Sequence, residues 1–210
     1  MNASAGPGEE TRAGLPIRAF ATAALFERWL AAQPPGAPGL WLKLAKRGSG
    51  IASVGKAEAI EVALCHGWID GQLAPFDDRS WLVRFTPRTA RSRWSDINRA
   101  TALRLLAEGR IAPAGRAQIE AAQQDGRWDG AYAPQGQAQV PPDLQAALAA
   151  NPAAAAFFAT LGGANRYAIL YRIQDAKRPA TRQARIEKFV AMLARGEVLH
   201  PPRSARSPAA

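Results

Sequence analysis

Two stretches that alternate apolar and polar side chains, Trp68-Ile69-Asp70-Gly71-Gln72-Leu73 and Ser80-Trp81-Leu82-Val83-Arg84-Phe85-Thr86, flank the turn-rich segment Ala74-Pro75-Phe76-Asp77-Asp78-Arg79. Period-two runs joined by Pro and Asp predict an antiparallel hairpin. In the second run Trp81, Val83 and Phe85 are expected to face a core. Arg84 then points to the opposite face with Leu82 and Thr86, because successive strand residues alternate. Any fold for this chain has to cover one side of that ribbon.

The neighbouring sequence supplies the cover. Leu40 to Lys46 alternates as a further strand, with Leu40, Leu42 and Leu44 on one side and Trp41 and Lys43 on the other. Phe20, Ala24, Phe26 and Leu30 recur at helical spacing before Pro34-Pro35-Gly36, and Lys56 to Cys65 carries the stripe Ala59, Ile60, Ala63, Leu64 with Gly67 placed as a left-handed C-cap. Ser95 is the expected N-cap of a helix through Ile97, Ala100, Leu103 and Leu106 to Gly109, and Ala114 to Gln124 follows as a short helix. Further on, Pro142, Pro152 and Pro179 stand at first-turn positions of helical segments. Tyr167, Leu170, Tyr171 and Gln174 share a face of one of these segments, and Ile186, Phe189, Val190 and Leu193 form the stripe of the last. The expectation is an α+β protein: a small antiparallel sheet packed with helices, followed by a helical C-terminal lobe. Its parts are a disordered tail at 1–14, an α+β lobe at 15–130, a linker at 131–142, a helical lobe at 143–199 and a second disordered tail at 200–210.

Composition excludes several classes. A lone Cys65 closes no intramolecular disulfide, and with only His66 and His200 as histidines the zinc-ligand spacings are missing, so no metal and no cofactor are expected. The polar N-terminus lacks the pattern of a secretory signal, and no run approaches the ~20 apolar residues of a transmembrane segment, which gives a soluble, cytoplasmic, reducing setting. Twenty-seven Lys plus Arg against seventeen Asp plus Glu leave a formal charge of +10, which attracts polyanions at low salt whether or not one is a partner.

Four stretches could carry chemistry. Cys65, His66 and Asp70 resemble a triad on paper, but a helix end and a glycine separate them, so Cys65 is expected to be a small buried hydrophobe and His66 a helix-terminal residue. Gly50 to Gly55 followed by Lys56 resembles a phosphate loop, yet Ala57 stands where the magnesium-binding hydroxyl belongs. The run RFTPRTARSRWSDINR packs Arg84, Arg88, Arg91, Arg93 and Arg99 together with Asp96 as the sole acid, beside the hydroxyls of Ser92 and Ser95, a pattern suited to an anion. A second cluster, Lys177-Arg178 with Arg182 and Arg185, opens the last helix at the dipole end that disfavours cations, which calls for an outside partner, either an anion or the carboxylates of the other lobe. Of the six tryptophans, Trp68 and Trp81 are expected in the core, with Trp94 open to either use.

ALCHGWIDGQ, RFTPRTARSRWSDINR with GRIAPAG, and NRYAILYRIQDAKRPATRQARIEKFVAMLARG together resemble the YdeI/OmpD-associated, or bacteriocin-protection, family from about Leu15 to His200. His66 departs from the aromatic usual in the first motif, Val62 stands where an acid is common, and Thr89 departs from a common Arg. The resemblance implies a soluble α+β protein linked to stress response, bacteriocin protection and antimicrobial peptide resistance, with no catalytic residue to carry over. The functional expectation is a non-catalytic binding protein with an Arg-rich anion cleft between its lobes, lined by Asp70, Arg84, Arg88, Ser92, Trp94, Asn98, Arg166, Tyr167, Lys177 and Arg182. Its partner is a small anionic ligand. The alternatives are a nucleic-acid-binding protein and an enzyme on a small anionic substrate, with Asp70 as acid or base beside Arg84 and Arg88.

Overall fold

The computed structural model describes residues 10–201 and resolves two units, one reaching Ala131 and the other beginning at Tyr132. The outer parts of both expected tails, 1–9 and 202–210, lie outside the described residues.

The first unit is built on a five-stranded sheet in the order β1-β2-β3-β5-β4, with β1 at Thr11–Arg12, β2 at Leu15–Ala19, β3 at Leu40–Ala45, β4 at Trp68–Pro75 and β5 at Ser80–Pro87. The predicted hairpin is β4–β5, and β3 pairs antiparallel with β5, placing Leu40 opposite Phe85 and Leu42 opposite Val83. The sheet is nonetheless mixed rather than wholly antiparallel. Helix α1 (Ala23–Ala31) carries the chain across from β2 to β3, and strands joined by such a crossover lie parallel. Sequence periodicity misses β2 because Leu15-Pro16-Ile17 is too short to show alternation. Thr11–Arg12, expected in the tail, pairs with it.

Helix α2 (Lys56–Cys65) packs with α1 on one sheet face, where Phe26, Leu30, Ala59 and Val62 meet Leu40, Leu42, Val83 and Phe85. Edge-on ring pairs, Phe26 with Phe85 at 5.5 Å and Trp29 with Trp68 at 5.7 Å, fix the depth of that contact. Each fully buried large apolar side chain here contributes about 1.5–3 kcal/mol. His66 caps α2 and Gly67 turns the chain into β4 at φ 74°.

The same helix end abuts the start of α4 (Pro113–Gln124): the Ala112 N–H donates to the Cys65 carbonyl at 3.0 Å. A Cβ on Gly115 would lie 2.3 Å from that carbonyl oxygen, and one on Gly67 would lie 2.8 Å from the Ala114 oxygen. Two glycines from separate motifs therefore let two backbones touch. Helix α3 (Asp96–Ala107) starts at the expected Ser95 cap, whose hydroxyl accepts from Asn98 N–H, but its phase is not the expected one. Ala102 and Leu105 are buried, whereas Ile97 and Leu103 are 59% and 51% exposed. The smaller Ala102 joins Leu64 and Cys65 in one cluster, and Arg104 on the adjoining face reaches Glu61 of α2.

The second unit contains α5 (Pro142–Ala149), α6 (Pro152–Thr160), α7 (Gly163–Gln174) and α8 (Pro179–Ala194). All three expected prolines open helices. Leu144, Phe158, Ile169, Ile173, Ile186, Phe189 and Leu193 make the core. On α7 the buried residues are Ala168, Ile169, Leu170 and Ile173; of the residues expected to share a face, Leu170 is buried and Gln174 is exposed. The segment expected as a linker packs on α7 within this unit: Tyr132 meets Tyr171 edge-on at 5.1 Å, and the Tyr167 hydroxyl donates to the Ala133 carbonyl at 3.2 Å. No helix among the described residues is long and apolar enough to cross a membrane.

Candidate functional site

At the junction between α2 and β4 the thiol of Cys65 is buried with Leu64, Trp94 and Ile119, and that desolvation raises its pKa. His66 turns toward Glu27 of α1, with Nε2 3.7 Å from the carboxylate. Asp70 lies in β4 opposite Phe85. These three side chains serve packing, a helix end and a strand, as the spacing suggested. At the start of α2, the Glu58 carboxylate accepts from the Gly55 N–H at 2.9 Å. An acid thus occupies the helix end that a phosphate would need, which removes the phosphate-loop reading.

The arginine run folds into a loop in which Arg88, Arg93 and Arg99, joined by Arg127 from outside the run, donate to main-chain carbonyls. Arg88 is 4% exposed; its guanidinium lies 3.7 Å from the Trp94 ring centroid and donates to the Arg93 carbonyl at 3.1 Å. Trp94 is buried against Trp128, with centroids 4.8 Å apart. Arg93 donates to the Gly130 carbonyl and Arg99 to that of Trp128, while Arg99 also pairs with Asp96. Arg127, which sequence reasoning passed over, holds the loop from the other side, donating to the Thr89 and Ser92 carbonyls and pairing with Asp125 at 2.7 Å. Ser92 makes the turn, its hydroxyl accepting from the Thr89 N–H. The available signal for Arg127 was a Trp inside a Gly-rich stretch, GRWDG. Nothing local announced that Trp128 would fold back on Trp94.

The second cluster finds its carboxylate within its own unit rather than, as expected, in the other lobe. Arg182 takes Asp143 of α5 side-on at 2.5 and 2.9 Å and donates to the Ile173 carbonyl at the end of α7. Arg185 donates to the Arg172 carbonyl. Two cations from the first turns of α8 therefore cap the negative end of α7, where cations belong. The hydrogen bonds from Arg182 lower the pKa of Asp143. Arg166 lies over the Phe158 ring at 4.6 Å, Tyr167 is engaged with Ala133, and Lys177 is exposed.

Asp70 and Arg84 do not meet. Asp70 is in register with Phe85, on the face that α1 and α2 cover, and Arg84, one residue earlier in β5, projects from the other face beside Trp41. The enzyme reading that pairs Asp70 with Arg84 loses its geometry. Of the ten expected site residues, contact distance joins Arg88 to Trp94, and Ser92 belongs to the same loop. Asn98 is half-buried in the first turn of α3.

Arg84 belongs instead to the outer sheet face. Leu15, Trp41, Ala74 and Leu82 form a small buried layer there, with Ile17 and Phe76 half-buried around it. Three cations cover it: Arg12, whose guanidinium is 5.3 Å from the Trp41 centroid; Lys43, whose ammonium is 4.0 Å from that of Phe76; and Arg84. Lys43 also pairs with Asp77 at 3.5 Å. A hydrogen bond from the Ser80 hydroxyl, backed by N–H groups of Arg79 and Ser80, lowers the Asp77 pKa to about 2. The Arg84 side chain makes no hydrogen bond or ion pair among the described residues, and its Nε is buried without an acceptor.

Residues 18–118 match a domain of unknown function (DUF8412), and they contain the first two motifs. No curated protein and no solved structure matches the chain. Residues 137–196, which hold the third motif and the helices α5 to α8 of the second unit, match the family described as Bacteriocin-protection, YdeI or OmpD-Associated.

Proposed function

We propose that the protein is a non-catalytic binding protein of the bacteriocin-protection kind and that it holds anionic molecules on the outer face of its sheet. The observation that supports this reading is the charge of that face: Arg12, Lys43 and Arg84 surround Trp41, with Asp77 as the carboxylate among the ion pairs there. The proposal replaces the expected cleft between the lobes, of whose arginines Arg88 and Arg182 serve carbonyls or a carboxylate, with the sheet face around Arg84. Trp41 is 4% exposed and so offers no ring face for stacking bases. Recognition by charge and shape therefore fits this face better than reading a nucleic acid does.

Tryptophan fluorescence during titration with phosphates, nucleotides and acidic sugars tests the reading, since Trp41 lies under the proposed ligand. Binding is expected to weaken as salt rises and to disappear in the triple variant Arg12→Gln, Lys43→Gln, Arg84→Gln. Equal binding by the triple variant and the parent would overturn it.

A further inference from the structure

The outer face contains one place where a single anion is better accommodated than anywhere else on it. In the β4–β5 pair the register runs Asp70 to Phe85 and then Leu73 to Val83, so Gly71 and Gln72 together stand opposite Arg84. Such a bulge re-aims side chains and interrupts pairing. Gly71 follows the inward Asp70 and therefore falls on the outer face, where it presents no side chain on that flank of Arg84. The other neighbours on this face are Trp41 across the β3 pair, Leu82 and Thr86 along β5, and Ile69 opposite Thr86. None of them is acidic.

Arg84 is thus a half-buried cation with an apolar surround, an open flank and no internal counter-charge. Its stem helps to cover Trp41 and Leu82, which accounts for its position. It does not account for a buried Nε that finds no acceptor among the described residues. The terminal nitrogens form a planar fork whose spacing matches two oxygens of a carboxylate or phosphate. We infer that Arg84 and the Gly71–Gln72 bulge form a binding site for an organic oxyanion, a carboxylate or phosphate monoester carried on a small apolar body that rests against Ile69 and Thr86. This rests on the proposed anion-binding face and specifies its ligand: the fork takes the oxyanion, and Ile69 with the methyl group of Thr86 favours an apolar substituent over a bare ion.

Isothermal titration of the full chain with orthophosphate, phenyl phosphate, acetate and hexanoate separates the outcomes. Phenyl phosphate and hexanoate are expected to bind more tightly than orthophosphate and acetate, and Arg84→Gln to weaken both by about tenfold or more. Arg84→Lys keeps the charge without the fork and should recover only part of that loss. Arg91→Gln, which removes the same charge from an exposed loop position, should leave binding unchanged. Equal losses in Arg84→Gln and Arg91→Gln, or no preference for the apolar substituents, would overturn the site. If the triple variant loses nucleotide binding while Arg84→Gln alone keeps all four probes unchanged, the basic face stands and this site falls.

Discussion

The two arginine-rich segments read alike in sequence, yet the units that contain them use them differently. In the first unit Arg88 is enclosed against Trp94, and Arg93, Arg99 and Arg127 hold the carbonyls of an irregular loop. In the second, Arg182 and Arg185 lie on a helix surface and join its first turns to the end of α7 and to Asp143. The difference follows from what each backbone lacks. A loop leaves carbonyls scattered in many directions, and several long forked donors are needed to reach them. A helix end presents its orphan carbonyls together, and two cations suffice.

The contrast is sharpest where backbones touch. Gly115→Ala is expected to cost about 3 kcal/mol or more, because the added Cβ meets the Cys65 carbonyl rather than a side chain that can turn aside. Thermal unfolding followed by tryptophan fluorescence checks this, since all six tryptophans lie in the first unit. A near-neutral result would mean that the α2–α4 contact yields easily. Next in size is Arg88→Met, which keeps the stem but removes the stacked guanidinium and a donor to the Arg93 carbonyl; about 2–3 kcal/mol is expected in chemical denaturation.

Arg182→Met in the other unit should cost only about 1 kcal/mol, because its pair with Asp143 is solvent-screened. A loss as large as that of Arg88→Met would break the comparison. Arg84→Gln should stay within about 0.5 kcal/mol of the parent, since no internal partner is lost. The smallest expected effect is on pH dependence. Asp77 is held from 3.8 down to about 2, so it favours the folded state above the unfolded value and that contribution disappears as the pH falls toward 2. Asp77→Asn should flatten this part of the acid limb, and an unchanged limb would remove Asp77 from the account.

Legibility in the sequence divides along the same lines. The hairpin, the Ser95 cap, the Gly67 exit from α2 and the proline starts of α5, α6 and α8 are set by neighbouring residues, and each is where local chemistry puts it. The parallel β2–β3 pair is a contact between distant segments and had no local sign. The inward face of α3 was misread because Ile97 and Leu103 are more apolar than Ala102, although the small residue is the one that faces α2. For the candidate site, alternation alone placed Arg84 opposite the core. Asp70 was grouped with it through motif membership, which says nothing about the face of a strand.

From its sequence alone the chain specified where most helices and the hairpin begin and end, because caps, prolines and periodicity act over a few residues. That the half-buried Arg84 side chain keeps no acceptor among the described residues was decided only in three dimensions. Trp128 had to fold back on Trp94, Asp143 had to reach Arg182, and the bulge had to leave one flank of Arg84 open. A guanidinium is neutralised by whatever acceptor the fold brings within about 3 Å, and sequence spacing does not determine that acceptor.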